Sequence, residues 1–289
     1  MNYQGGYIKS SHVSSVIREL SEKYGETPEI KRALNNSVTN SGHGAIFLGT
    51  SGNYEGGDRN IRMLIGAHFA RTVPLKVGIF GGKCDRGEMT IDTVIRETIE
   101  EIFNHKPTIY MIEEIRNFLN NNTQAYFIFQ VSEHHRAYSY VFDISILGDF
   151  IRIISQLGRA RKIAYYIPTK TGLTIINNYY KPNVEFTDLS SFNGNHPYAG
   201  FDSTIKLSDF LRDRYVSSDR LRDSSGLNEI KYLSFTSLAK LVYSAQTNGL
   251  YEIFNFTNSK REIMPMQDFL RNLLNKDIIL EILNYSINN

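Results

Sequence analysis

Glu97, Glu100 and Glu101 have the spacing that places three carboxylates on one side of a helix, because residues three and four apart are neighbours on its surface. Carboxylates that close repel one another unless something positive lies among them. Arg96 offsets part of the charge: it stands four residues before Glu100, and its fork can also reach back to Glu88. The remainder asks for a divalent cation. Carboxylate oxygens and a backbone carbonyl from the Gly81-Gly82 turn suit a hard ion such as Mg²⁺ or Mn²⁺, which prefers oxygen and keeps positions open for water and phosphate. Such an ion neutralises the oxygens of a pyrophosphate and lowers the pKa of a water that attacks phosphorus, so no covalent intermediate is needed.

Other chemistries find less support. Gly49-Thr50-Ser51-Gly52 does not fit Gly-x-Ser-x-Gly, Cys84 has no base nearby in sequence, and no stretch forms a Walker-type phosphate loop. His134-His135 reads as a solvated turn, since adjacent strand residues face opposite sides and do not readily share one ion. Glu133 beside them is kept as a candidate for a supporting or base role.

The carboxylates must be positioned by a strand, a turn and a helix. Leu75–Phe80 is predicted to be a strand that delivers the chain to Gly81-Gly82. Ile91, Val94, Ile95, Thr98 and Ile102 then repeat with helical period, and Thr90 is the expected N-cap. Upstream, Val13, Val16, Ile17 and Leu20 predict a helix over Ser11–Tyr24, followed by strands over Gly44–Thr50 and Ile61–Phe69 with a Gly- and Asn-rich loop between them. Downstream, Pro107 marks a break, Thr108–Leu119 reads as a helix, and Gln124–Val131 and Ala137–Ile146 read as strands.

From Asp149 the pattern changes. A helix over Asp149–Gly158 leads to the densest basic cluster, Arg159, Arg161 and Lys162, with Tyr165, Tyr166, Tyr179 and Tyr180 after it. Aromatic faces beside cations can stack on bases and hold phosphates, although half-buried tyrosines of a β-rich insertion explain the same residues. Around 209–223 arginines and aspartates alternate and cancel. Order returns at Asn228–Leu241, a strand and then a helix opened by Thr236 or Ser237, and Met264–Tyr285 has the spacing of two short helices or one bent one, covering the domain or forming a homodimer contact.

At 289 residues and 41% hydrophobic content the chain can bury a substantial core. Its single cysteine excludes an intrachain disulfide, and no apolar run approaches the ~20 residues that span a bilayer, so a cytoplasmic protein without a membrane partner is expected. A net charge of +2 gives no strong global field, so any contact with nucleic acid must be local.

Gly82-x5-Glu88-x7-Arg96-Glu97-x2-Glu100-Glu101 resembles the signature box of the Nudix hydrolases. The chain departs from it where the family usually has Gly and an aliphatic residue: Phe103 and Asn104 stand there, and Asn104 can supply the left-handed helix end. The resemblance implies an α/β/α sandwich with a mixed sheet, divided as an N-terminal helix and linker (1–43), a core (44–148) with the box at 82–104, an insertion (149–227), and the end of the core with C-terminal helices (228–289). It implies Glu97, Glu100, Glu101 and the Gly82 carbonyl as ligands of Mg²⁺ or Mn²⁺, a Glu88–Arg96 pair that shapes the loop, and Glu97, or failing that Glu229, as general base. The implied reaction is hydrolysis of a pyrophosphate linkage in a nucleotide substrate. Around Gly81-Gly82 and Arg86-Gly87-Glu88 the sequence is similar to the mRNA decapping enzymes of large DNA viruses, which would make Arg159, Arg161 and Lys162 contacts for capped RNA. ADP-ribose, a dinucleotide or a nucleotide sugar are the alternative substrates, and a noncatalytic binding module of the same fold is a third reading.

Overall fold

A computed structural model describes residues 11–24, 42–51, 60–69, 75–103, 107–132, 137–159, 165–169, 172–176, 211, 229–255 and 258–288. Its main sheet is mixed and has seven strands. Strand β1 (Gly42–Ser51) pairs antiparallel with β2 (Asn60–His68) through its second half and with β4 (Phe80–Lys83) through its first half. The hairpin therefore splays, and β3 (Lys76–Gly78) and β4 fill the opening, β3 against the end of β2. This is why the stretch expected as one strand over Leu75–Phe80 breaks at Ile79 and resumes on a different neighbour. On its other edge β1 runs parallel to β6 (Ala137–Asp143), and β6 pairs with β5 (Tyr126–Ser132). Strand β9 (Ile230–Ser237) closes the far edge of β2, with Arg62 opposite Ser237 and His68 opposite Ile230.

Helices cover both faces. Alternation along β1 sends Ala45 and Phe47 to one core and Ile46 and Leu48 to the other. The first core holds α2 (Thr90–Glu101), α3 (Ile109–Asn121) and α4 (Ile146–Arg159) over a seam of rings in which Phe47 and Phe142 stack at 5.4 Å. The second holds α1 (Ser11–Tyr24), α5 (Leu238–Gln246), α6 (Asp268–Leu274) and α7 (Asp277–Asn288). β6 is buried at every position, as befits a strand covered on both sides.

Several expectations need correction. Thr90 is the first helical residue rather than the cap: Met89, which has no capping oxygen, occupies the N-cap, and the Thr90 hydroxyl is engaged with the Tyr140 hydroxyl at 2.9 Å. Met264 and Met266 belong to extended backbone; β10 (Leu250–Asn255) and β11 (Lys260–Pro265) form a hairpin there, and two short helices start only at Asp268 and Asp277. Phe150, Ile153 and Ile154 bring α4 into the first core, within the region expected as an insertion, while β7 (Tyr165–Thr169) and β8 (Gly172–Ile176) make a separate two-stranded sheet. Asn104 lies outside the described residues. No helix among the described residues is long and apolar enough to cross a membrane.

Candidate functional site

Backbone geometry sets the first contact. Gly81 has φ +152°, and a Cβ there would meet the His43 carbonyl oxygen at 2.2 Å, so the β1–β4 pairing needs glycine at this point. One residue on, a Cβ on Gly82 would lie 2.0 Å from Glu97 Oε1. The Glu97 carboxylate thus rests directly on the Gly82 backbone.

The loop from Lys83 to Met89 is organised by Glu88. Its Oε1 accepts the Arg96 Nε–H at 2.9 Å, and its Oε2 accepts the Thr93 hydroxyl at 2.8 Å, the Asp85 N–H at 3.0 Å and an Arg96 Nη2–H at 3.2 Å. Burial pushes this carboxyl up, but the bonds from Arg96, Asp85 and Thr93 outweigh it and hold Glu88 below its ordinary value. Arg96 also donates through Nη1 to Glu97 at 2.7 Å and Glu100 at 3.3 Å, and through Nη2 to the Lys83 carbonyl at 3.0 Å. One guanidinium therefore ties the loop to the carboxylate face of α2. Burial works against its charge, yet Glu88 and Glu97 together raise its pKa above the ordinary value.

The carboxylates beyond it remain crowded. Burial raises Glu97 to about 7; Arg96 opposes this, and the charges of Glu100 and Glu229 add to it. Glu100 is raised by burial as well, again with Glu229 contributing. Glu101 is only 3% exposed and lies well above the carboxylate range, through burial and then the charge of Glu97, although its Oε2 accepts the Gly81 N–H at 2.7 Å. Its Oε1 stands 3.6 Å from His68 Nδ1. Burial holds that imidazole down to about 4 and pushes Glu101 up, so desolvation works against an ion pair between them.

Among the described residues no three His, Cys, Asp or Glu side chains form a ready-made cage for an ion. Glu97 and Glu100 turn toward Arg96, and Glu101 turns toward Gly81. The donor set nonetheless fits a hard divalent ion in its chemistry. It offers carboxylate oxygen alone, and all three pKa values are raised by the desolvation and mutual repulsion that a cation relieves. Rotation of Glu97 and Glu100 away from Arg96 would free the oxygens such an ion needs.

The fold gathers Gly82, Glu88, Arg96, Glu97, Glu100 and Glu101, and it brings Glu229 near enough for its charge to act on all three carboxyls of α2. Glu229 sits just before β9, where its carbonyl accepts the Phe69 N–H at 2.8 Å. Arg159 ends α4, but its side chain lies outside the described residues, as do Arg161, Lys162, Glu133, His134 and His135.

Other residues join the site through sheet register, which the linear spacing does not carry. His43 pairs with Gly82 and stacks on Tyr138 at 5.9 Å with an interplanar angle of 23°. Burial lowers its pKa to about 4 despite the Glu88 charge, so it is a neutral ring near pH 7. With Gln267, Phe269 and Gly81–Lys83 it lines a recess of about 150 Å³. Buried His68, behind Glu101, was likewise absent from the expected site; a polar residue closing an apolar strand was its one signal. Comparison with protein-family models, with curated proteins and with solved structures finds no match to this chain in any of the three.

Proposed function

We propose that this chain is a Nudix-type pyrophosphohydrolase dependent on Mg²⁺ or Mn²⁺, acting on a nucleoside diphosphate-linked substrate, with the mRNA 5′ cap as the leading candidate and ADP-ribose, a dinucleotide or a nucleotide sugar as the alternative. One observation supports the reading: Arg96 bonds Glu88, Glu97 and Glu100, Glu97 rests on the Gly82 backbone, Glu101 accepts the Gly81 N–H, and the charge of Glu229 reaches all three carboxyls of α2. The ion, when bound by Glu97, Glu100 and Glu101 with the Gly82 carbonyl, would neutralise phosphate oxygens and lower the pKa of the attacking water. The chain's own groups do the rest. Glu97 is the first choice to accept a proton from the attacking water, and Glu229 is the second. Arg96 and Glu88 hold the loop. The recess beside Gly82, at about 150 Å³, has room for a phosphate-sized group rather than a whole nucleotide, with His43 presenting an uncharged ring to it.

The test is product analysis with Mg²⁺ or Mn²⁺ against capped RNA, free cap analogue, ADP-ribose, dinucleotides and nucleotide sugars, with Glu100→Gln as the blank. Release of a guanosine diphosphate from capped RNA selects the cap; turnover confined to a free nucleotide selects the alternative. Wild-type turnover by a folded Glu100→Gln protein removes the mechanism.

A further inference from the structure

A second opening in the described structure lies away from this site. It is a cleft of about 600 Å³ between the end of β9, the helix α5 and the β10–β11 hairpin. β9 relates the two places: its first residue, Ile230, adjoins Glu229, and its last, Ser237, borders the cleft. Seven steps at about 3.3 Å per residue separate them by roughly 20 Å.

The lining has two components. Cations come from three elements: Arg62 on β2, Lys240 in the first turn of α5 and Arg261 on β11. Glu252, bonded to Arg261 at 2.7 Å, is the one carboxylate among the described lining residues, against three cationic side chains. Arg62 is fixed in place, its Nη1 donating to the Phe235 carbonyl at 3.4 Å. The second component is aromatic. Phe235, Tyr251 and Phe254 form apolar walls, and Tyr243 stands 70% exposed at the rim. The Tyr251 hydroxyl is bonded to Thr236, and its ring is buried in the second core.

A planar ring can stack on the exposed Tyr243 at the rim while a phosphate meets the cations, and about 600 Å³ lies within the range of small-ligand sites. We infer that the β9–α5–β10/β11 cleft binds a nucleoside phosphate, either free or as one unit of an RNA strand. The inference stands on residues separate from the carboxylate cluster and does not depend on the hydrolase reading.

Binding is measured by fluorescence anisotropy in EDTA, with N-methylanthraniloyl-ADP and with a fluorescein-labelled ten-nucleotide RNA of mixed sequence as probes. The proteins are wild type, Lys240→Glu, Tyr243→Ala and Glu100→Gln; Lys240 and Tyr243 are exposed, so their variants keep the core intact, and unchanged melting temperature verifies it. The expected result is saturable binding of at least one probe, weakened about tenfold or more by each cleft substitution and unchanged by Glu100→Gln. Binding of ADP alone identifies a free nucleotide as the ligand, and binding of RNA alone identifies the strand. The inference is overturned if neither probe binds, if the cleft variants bind as tightly as wild type, or if only a polyglutamate peptide competes for the cleft.

Discussion

Arg96 and Glu88, eight positions apart, are joined by two donors of one guanidinium, at 2.9 and 3.2 Å on the two carboxylate oxygens. The pair is half-buried, and it fixes the loop against the helix that carries the candidate ligands. Arg96→Lys keeps the charge and loses the fork, so it is expected to lower stability by ~1–3 kcal/mol, about as much as Glu88→Gln. Urea denaturation of both variants and of the double substitution checks this: the double should cost clearly less than the sum of the singles.

Gly81→Ala and Gly82→Ala should fail differently. At Gly81 the added carbon meets backbone oxygen at a positive φ, so a stability loss of ~1–3 kcal/mol is expected. At Gly82 it meets the flexible end of Glu97, which can swing aside. Gly82→Ala should therefore melt within a few degrees of wild type but lose divalent-ion binding, read by isothermal titration with Mn²⁺. The opposite pattern would contradict the contact described.

Glu100→Gln should reduce turnover by roughly 10² or more while retaining the wild-type melting temperature, since positioned acid–base and metal groups contribute on that scale. Steady-state kinetics at saturating Mn²⁺ decides it.

Asp143 offers a pH test remote from the cluster. Its carboxylate accepts the Ser145 N–H and the Ser14 hydroxyl, each at 2.8 Å, yet burial raises its pKa above the ordinary 3.8. Between 3.8 and the higher folded value the native state keeps a proton that the unfolded chain has released, so this group's contribution falls as pH rises through that window. Asp143→Asn removes the titration. Relative to wild type, the variant should be more stable at pH 7 than at pH 4, as urea midpoints at the two pH values will show.

Arg116 donates to both oxygens of Asp92, at 2.9 and 2.7 Å, linking α3 to α2. Burial still raises the Asp92 pKa, so desolvation exceeds the attraction of its partner. Arg116→Leu leaves the carboxylate buried alone and should cost ~2–4 kcal/mol, whereas adding Asp92→Asn should recover part of that loss. Thermal unfolding of the single and double variants distinguishes the two.

What was legible in the sequence was local. The repeat from Ile91 to Ile102 and the spacing of Arg96 from Glu100 concern one helix turn at a time, and both were readable there. The same holds for Ser237, which caps α5 by accepting the Lys240 N–H as one of the two expected residues. Thr90 was misread because its hydroxyl answers to Tyr140, fifty residues away, rather than to its own helix. His43 and His68 were missed for the same reason: they reach the cluster through strand pairing, which side-chain spacing does not encode. The β10–β11 hairpin was hidden because Met264 and Met266 extend the apolar rhythm of the helices that follow them.

The attachment of β9 to β2 also orders events in time. Arg62 and Ser237 are far apart along the chain, and no hairpin joins them. During synthesis α2 and its glutamates leave the ribosome long before Glu229 does, so an emerging chain holds the carboxylate helix beside an open sheet edge. Pairing at such separation is slow to form. A nascent or truncated chain that stops before β9 would display the motif residues without the assembled cluster, and protection of β2 amides from hydrogen exchange would report when the last strand has docked.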